Sequence, residues 1–173
     1  MADPSAIVRR IEAITDVIQT VGIFRRFPTP DDELNETLAV NFAHAMPVVE
    51  LASDTVLNAR LGFRCLILSS GAAIYDVAFR VHDSKVPTGL RFFAEAVFVV
   101  NYSLQAGPHP TPAELEAFGK TNAPLNVVPF WREFLDSSIR RAGMPPVMAP
   151  VHKTEPRRST ITDTMPDASV PPA

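Results

Sequence analysis

The chain has little of what crosslinks proteins or drives chemistry: among its 173 residues are a single cysteine, Cys65, and a single tryptophan. One cysteine excludes an internal disulfide framework. The opening MADPSAIVRR lacks the apolar core of a secretory signal, so a reducing cytoplasm is the expected compartment. There is no excess of basic charge either. The net charge is -3 and the pI about 5.8, without the concentrated cationic patch on which nucleic-acid binding depends. Long apolar runs are missing too. The longest, Ala94 to Val100, is broken by Glu95 and falls far short of the roughly 20 residues that span a bilayer, so stable membrane insertion is not expected.

Catalytic signatures are equally scarce. His44, His82, His109 and His152 are scattered, with no H-E-x-x-H and no Cys/His ligand spacing. No G-x-S-x-G elbow, G-x-G-x-x-G turn or G-x-x-x-x-G-K-[ST] loop occurs. Cys65 falls on the apolar side of a strand pattern, where burial as a small hydrophobe outweighs a reactive thiol. Glu12 with Asp16, and Asp31 with Asp32 and Glu33, read as solvated surface charge. No catalytic residue, metal or cofactor is expected, and a non-enzyme is the reading.

What the chain does have is apolar patterning, 46% of it being hydrophobic, enough for one domain with a real core. Asp3 as cap, Pro4 at the first helical position, and Ile7, Ile11, Ile14, Val17, Ile18 and Val21 at helical spacing predict an amphipathic helix to about Val21. The proline-punctuated stretch from Phe27 to Glu33 reads as a connector, which places an N-terminal helix and linker in residues 1–35.

From Leu38 the period changes to two. Leu38, Val40 and Phe42 predict a strand ended by Pro47. Leu57, Ala59, Leu61, Phe63, Cys65 and Ile67 alternate with Asn58, Arg60, Gly62 and Arg64 in the cleanest strand pattern of the chain. Ala73 to Val81 predicts a third strand. Phe92 to Leu104 predicts a fourth, apolar on both sides at its centre, so that a second molecule is the natural cover for part of its outer side. Short turns between the four argue an antiparallel meander. Thr111-Pro112-Ala113-Glu114 is a capping box for a short helix, Pro112 to Phe118, ending at Gly119.

The long C-terminal helix carries the most information. Asn126 reads as its cap, with Pro129 in the first turn. Val127, Trp131 and Phe134, widened by Val128, Phe130, Leu135 and Ile139, form a broad apolar face. Arg140 and Arg141 complement the dipole in the last turn, and Gly143 followed by Pro145 and Pro146 ends the helix before an extended apolar strip, Met144 to Val151. The fold class is therefore α+β: a four-stranded antiparallel meander over residues 36–153 with the long helix packed on one face, plus the N-terminal helix. The polar, proline-rich residues 154–173 read as a disordered tail.

Two matched ends give this helix a family resemblance. Val128-Pro129-Phe130-Trp131-Arg132-Glu133 resembles the F-P-Y-x-R-E start of the long helix in SecB-type export chaperones. The run from Arg141 to Val151 resembles their R-G-x-F-P-x-L-x-L-x-P-V ending, with Met144 where the family usually has Phe. Tyr75 to Val81 is similar to the Y-E-V-x-L-R-V strand of that family, and Phe92 to Ala96 to its F-L-x-E-V opening. The resemblance covers roughly residues 56 to 152, and the stretch from Leu104 to Phe118 looks like the divergent, toxin-antitoxin-associated branch.

The resemblance implies a cytosolic, cofactor-free holdase: a homotetramer, built as a dimer of dimers, that keeps unfolded or presecretory chains unfolded in hydrophobic grooves and passes them to the SecA ATPase. By the same resemblance Glu95, with Phe93 beside it, stands where the family's fourth strand helps dock SecA, although Lys153, Arg157 and Arg158 make basic a tail that is usually acidic. The residues themselves nominate a groove of Phe130, Trp131, Phe134, Met144, Val147 and Met148, side chains that one helix and its tail cannot all bury; core or subunit packing is the alternative for each. Methionine and aromatics suit varied clients because they adapt or stack. A chaperone dedicated to one antitoxin or one client is the alternative function, and a small-molecule or lipid-binding module the more distant one.

Overall fold

The computed structural model describes residues 4–27, 38–69, 86 and 88–148. Its centre is a pair of long antiparallel strands. Val56–Ser69 (here β4) pairs with Leu90–Leu104 (β5) from Val56 opposite Ser103 to Leu68 opposite Leu90. On the far side of β5 lies Ile11–Arg26 (β1); on the far side of β4 lie Leu38–His44 (β2) and, farther along, Val48–Ser53 (β3). All pairings are antiparallel.

The alternation seen in the sequence decides what each face does. Leu57, Ala59, Leu61, Phe63, Cys65 and Ile67 of β4, and Phe92, Ala94, Ala96, Phe98, Val100 and Tyr102 of β5, all enter one core beneath the helices. Pro112–Thr121 (α2) and Ala123–Arg141 (α3) cover that face. Phe118 of α2 sets its ring edge-on to Tyr102 at 5.3 Å, an arrangement the ring quadrupoles favour. On the outer face a smaller cluster joins Ala43, Leu66, Leu68, Leu90 and Phe93.

The N-terminal segment corrects the expectation of an amphipathic helix. Helix is confined to Ser5–Val8 (α1), and β1 follows as a 16-residue strand. The cause lies in three bulges on β1, between Ile11 and Ala13, Ile14 and Asp16, and Gln19 and Val21. Each of the first two puts an extra residue on β1 against β5, so Ile11, Ile14 and Val17 stand opposite Leu104, Tyr102 and Val100 on one face. A strand bulged in this way reads with a period of three, which imitates a helix. Because β1 is paired along its length with β5, residues 11–26 belong to the sheet and do not form a separate N-terminal unit.

The four-stranded meander is also corrected. Five strands are described, in the order β1-β5-β4-β2 with β3 also on β4, so the first strand closes onto the last. The strand expected over Ala73 to Val81 lies outside the described residues, as do the tail from residue 149 and the Asp3 cap. The two strands that flank 73–81 in sequence pair directly with each other. Strand β3 was hidden by Pro47, which ends one pairing and leaves the next free to begin at Val48.

Helix boundaries follow their chemistry. The Glu114 amide donates to the Thr111 hydroxyl at 3.3 Å while the Thr111 amide donates to the Glu114 carboxylate at 2.7 Å, closing the predicted capping box. Thr111→Ala is expected to cost about 1 kcal/mol, read as a lower denaturant midpoint with an unchanged slope. The helix α2 runs through Gly119 to Thr121, beyond the predicted end, because Gly119 is a packing glycine: a Cβ there would lie 2.9 Å from Val49 of β3. Helix α3 begins at Ala123, earlier than the Asn126 cap predicted. Asn126 closes its first turn and donates to the Tyr102 hydroxyl at 3.0 Å, and Pro129 is interior, with no N–H to give to the preceding turn. The helix ends as predicted. Met144 N–H reaches the Ile139 carbonyl and Gly143 N–H the Arg140 carbonyl around Gly143 at φ 65°, the paired bonds of a Schellman stop.

Candidate functional site

The apolar face nominated on α3 and the strip after it divides in two. Val127, Trp131, Leu135 and Ile139, spaced by four, point into the core. Trp131 is only 4% exposed and stacks on Phe63 of β4 at 5.6 Å. This corrects its assignment to a client groove: the ring is a core side chain, occupied by Phe63 on one side and Phe134 at 5.8 Å on another. Phe130 and Phe134, also four apart, form the flank of the helix next to that buried row. Phe130 is 42% exposed. Phe134 is half-buried and lies over β1 at Gly22, where a Cβ would come within 3.1 Å of its ring.

Beyond the helix, Met144 and Val147 are half-buried against the same core, and Met148 is 85% exposed. The Arg26 side chain at the end of β1 donates to the Ala142 carbonyl at 3.0 Å, which fixes the point where this strip leaves the helix. Two apolar surfaces result, one at Phe130 and Phe134 and one at Met144, Val147 and Met148. Exposed Leu125 on α3 and exposed Ile14 and Phe24 on β1 join them as apolar side chains at the surface. Leu125 lies before the predicted start of its helix, Ile14 lies on a strand whose spacing reads as a helix, and Phe24 lies beyond the predicted helix end at about Val21.

The pair nominated for an ATPase partner is not offered to one. Phe93 is fully buried, and the Arg64 guanidinium lies 5.4 Å above its ring. Glu95 faces Arg64 across β4 and β5 and accepts from its Nε at 3.0 Å and its Nη2 at 2.6 Å. The carboxylate is thus neutralised within the sheet. This corrects the expectation of a docking surface at Phe93 and Glu95.

Reactive chemistry finds little footing. Burial pushes the Cys65 thiol far up from its ordinary range, so no thiolate forms at neutral pH. Tyr102 is likewise raised by burial, an effect opposed in part by its hydrogen bond with Asn126. Among the described residues no three His, Cys, Asp or Glu gather where they could hold a metal ion, and no helix is long and apolar enough to cross a membrane. His44 approaches the Ala45 carbonyl at 3.2 Å and His109 approaches Asp54 at 3.5 Å, while His82 and His152 lie outside the described residues.

No protein-family model and no curated protein matches the chain by sequence. A solved structure does match: the Mycobacterium tuberculosis Rv1957 SecB-like chaperone in complex with a ChAD peptide from the Rv1956 HigA1 antitoxin. The TM-score is 0.65 at 17% identity, over 87% of this chain and 96% of that one. The resemblance read from the sequence is thereby borne out in the fold, an α+β sheet and helix arranged as in a SecB-like chaperone.

Proposed function

Starting from that SecB-like fold, we propose that this chain is a chaperone that holds polypeptide segments by apolar contact, with a dedicated client such as an antitoxin. The supporting observation is the likeness over most of both chains to a chaperone seen with an antitoxin peptide. The exposed side chains agree with it. Burial yields roughly 25 cal/mol per Å², so an extended segment that covers a few hundred square ångströms gains several kcal/mol before ordering costs, giving weak and reversible capture. No bond is made or broken, and no catalytic group is required.

General export with handover to SecA is the less supported form of this reading, because Glu95 is already engaged by Arg64. Assembly as a homotetramer in the cytoplasm belongs to the proposal. Among the described residues β1 pairs on one side only, and Ile14 and Phe24 on it are exposed, which suits cover by a second copy. Several grooves on one assembly would raise the effective concentration for the next segment of a bound chain and so favour unfolded clients.

The test is suppression of aggregation of a refolding substrate, together with native mass measured with and without an unfolded chain. Phe130→Ser combined with Met148→Ser is expected to weaken suppression several-fold at unchanged thermal stability. Full activity in that variant would remove these residues from the site, and a wild-type monomer that protects nothing would remove the chaperone reading. Deletion of the gene separates the two forms: loss of a single partner supports the dedicated role, and a general precursor-export defect the other.

A further inference from the structure

The sulfur atoms of the described residues differ sharply in their access to solvent. Cys65 is fully buried, and burial holds its thiol far above the range in which a thiolate forms, so the lone thiol is closed to oxidants. The thioethers are graded. Met148 is 85% exposed, Met46, between β2 and β3, is 44% exposed, and Met144 is half-buried against the core. A thioether has no proton to lose, so its reactivity toward an oxidant follows exposure and not pH.

Position decides what oxidation at each site would do. Met144, Val147 and Met148 are the large apolar side chains of the strip after α3. The first two pack on the core, and Arg26 fixes the point where the strip leaves the helix. Met148 takes no part in that anchoring: its side chain stands in solvent, so the fold does not depend on its remaining apolar. From Pro145 to Met148 the backbone belongs to neither helix nor strand, and a polar group at the end of the strip disturbs no regular pairing there. Oxidation at Met144 would instead set a strong dipole against the core and cost stability. The same chemistry therefore reaches the binding surface at one methionine and the fold at the other.

We propose that Met148 is a modification site, where a peroxide converts the thioether to the sulfoxide and thereby weakens the hold of the strip on apolar segments while the fold stays intact. In this step the sulfur lone pair attacks one peroxide oxygen, an S–O bond forms as the O–O bond breaks, and the second oxygen takes up the proton carried by the first and leaves as water. Sulfur is oxidised by two electrons and the peroxide is reduced by two. The product is a hydrogen-bond acceptor where an apolar group stood, and a client must strip water from it to make the same contact. Methionine sulfoxide is reduced enzymatically, so the change is reversible. The inference rests on the reading that this strip receives clients.

The test treats the full chain with hydrogen peroxide and follows each methionine by peptide mass spectrometry. Met148 is expected to oxidise at least about fivefold faster than Met144, in keeping with their exposure. Once Met148 is converted and Met144 is not, suppression of aggregation should fall at least about threefold at unchanged thermal stability. Incubation with a methionine sulfoxide reductase should restore it. Met148→Leu keeps an apolar side chain that peroxide does not convert, so it should protect equally before and after treatment, which separates Met148 from every other methionine of the chain. Met148→Gln, polar from the start, should match the oxidised wild type. Oxidation of Met144 ahead of Met148, equal losses in the wild type and Met148→Leu, or full suppression with Met148 converted would each overturn this inference and leave the chaperone reading standing. Untreated wild type that suppresses no aggregation would remove both.

Discussion

Trp131→Ala is expected to remove about 3–5 kcal/mol of folding stability, a large part of the 5–15 kcal/mol a domain of this kind possesses. The indole is one wall of a three-ring stack with Phe63 beneath it and Phe134 beside it, at 5.6 and 5.8 Å. Phe63 also meets Phe98 edge-on at 6.1 Å, so truncation opens a cavity where β4, β5 and α3 converge. Backbone atoms on both sides are fixed by helix and sheet, which limits collapse into the space. Phe130→Ala, one residue earlier on the exposed flank, is the control. It should change stability by less than about 1 kcal/mol, because little is buried there to lose. Denaturant titrations of the two variants decide the matter. Similar midpoints would mean that Trp131 is not the core residue its packing makes it.

That contrast also shows what the sequence could and could not convey. Helical spacing gave the apolar face of α3, and it gave the helix end at Gly143, because a left-handed residue followed by two prolines leaves the backbone few alternatives. Spacing alone could not separate Trp131, at the centre of the face, from Phe130 at its edge; only the position of Phe63 on another strand does that. The same limit explains β1. Ile11, Ile14 and Val17 obey a helical period in the sequence, and the bulges that place them on one side of a strand depend on a partner, β5, more than 70 residues away. Alternation in β4 and β5 was legible because neither strand is bulged over its central pairing, from Val56 opposite Ser103 to Ile67 opposite Phe92. The candidate docking pair failed for a related reason. Phe93 and Glu95 occupy the outer side of β5, but what stands opposite Glu95 is Arg64, and no local pattern announces a cross-strand partner.

Glu95→Ala carries the second large effect. Arg64 keeps only 2% of its side-chain surface exposed and Glu95 15%, and the carboxylate accepts from both Nε and Nη2 of the guanidinium. Removing one partner of a buried pair costs far more than the pair contributes, because the remaining charge has lost both its water and its counter-ion. A loss of about 3 kcal/mol is expected, at the low end for such pairs since Glu95 keeps some access to solvent. Replacing both, Arg64→Met with Glu95→Leu, should restore most of that stability, the two apolar side chains extending the cluster of Leu66, Leu68 and Phe93. Salt gives an independent reading. An exposed pair weakens as ionic strength rises, whereas the wild-type advantage over Glu95→Ala should stay nearly constant between low and physiological salt. A single-variant loss below 1 kcal/mol that disappears with salt would place the pair at the surface. It would also return Glu95 to the set of groups able to meet a basic partner, which its engagement with Arg64 now prevents.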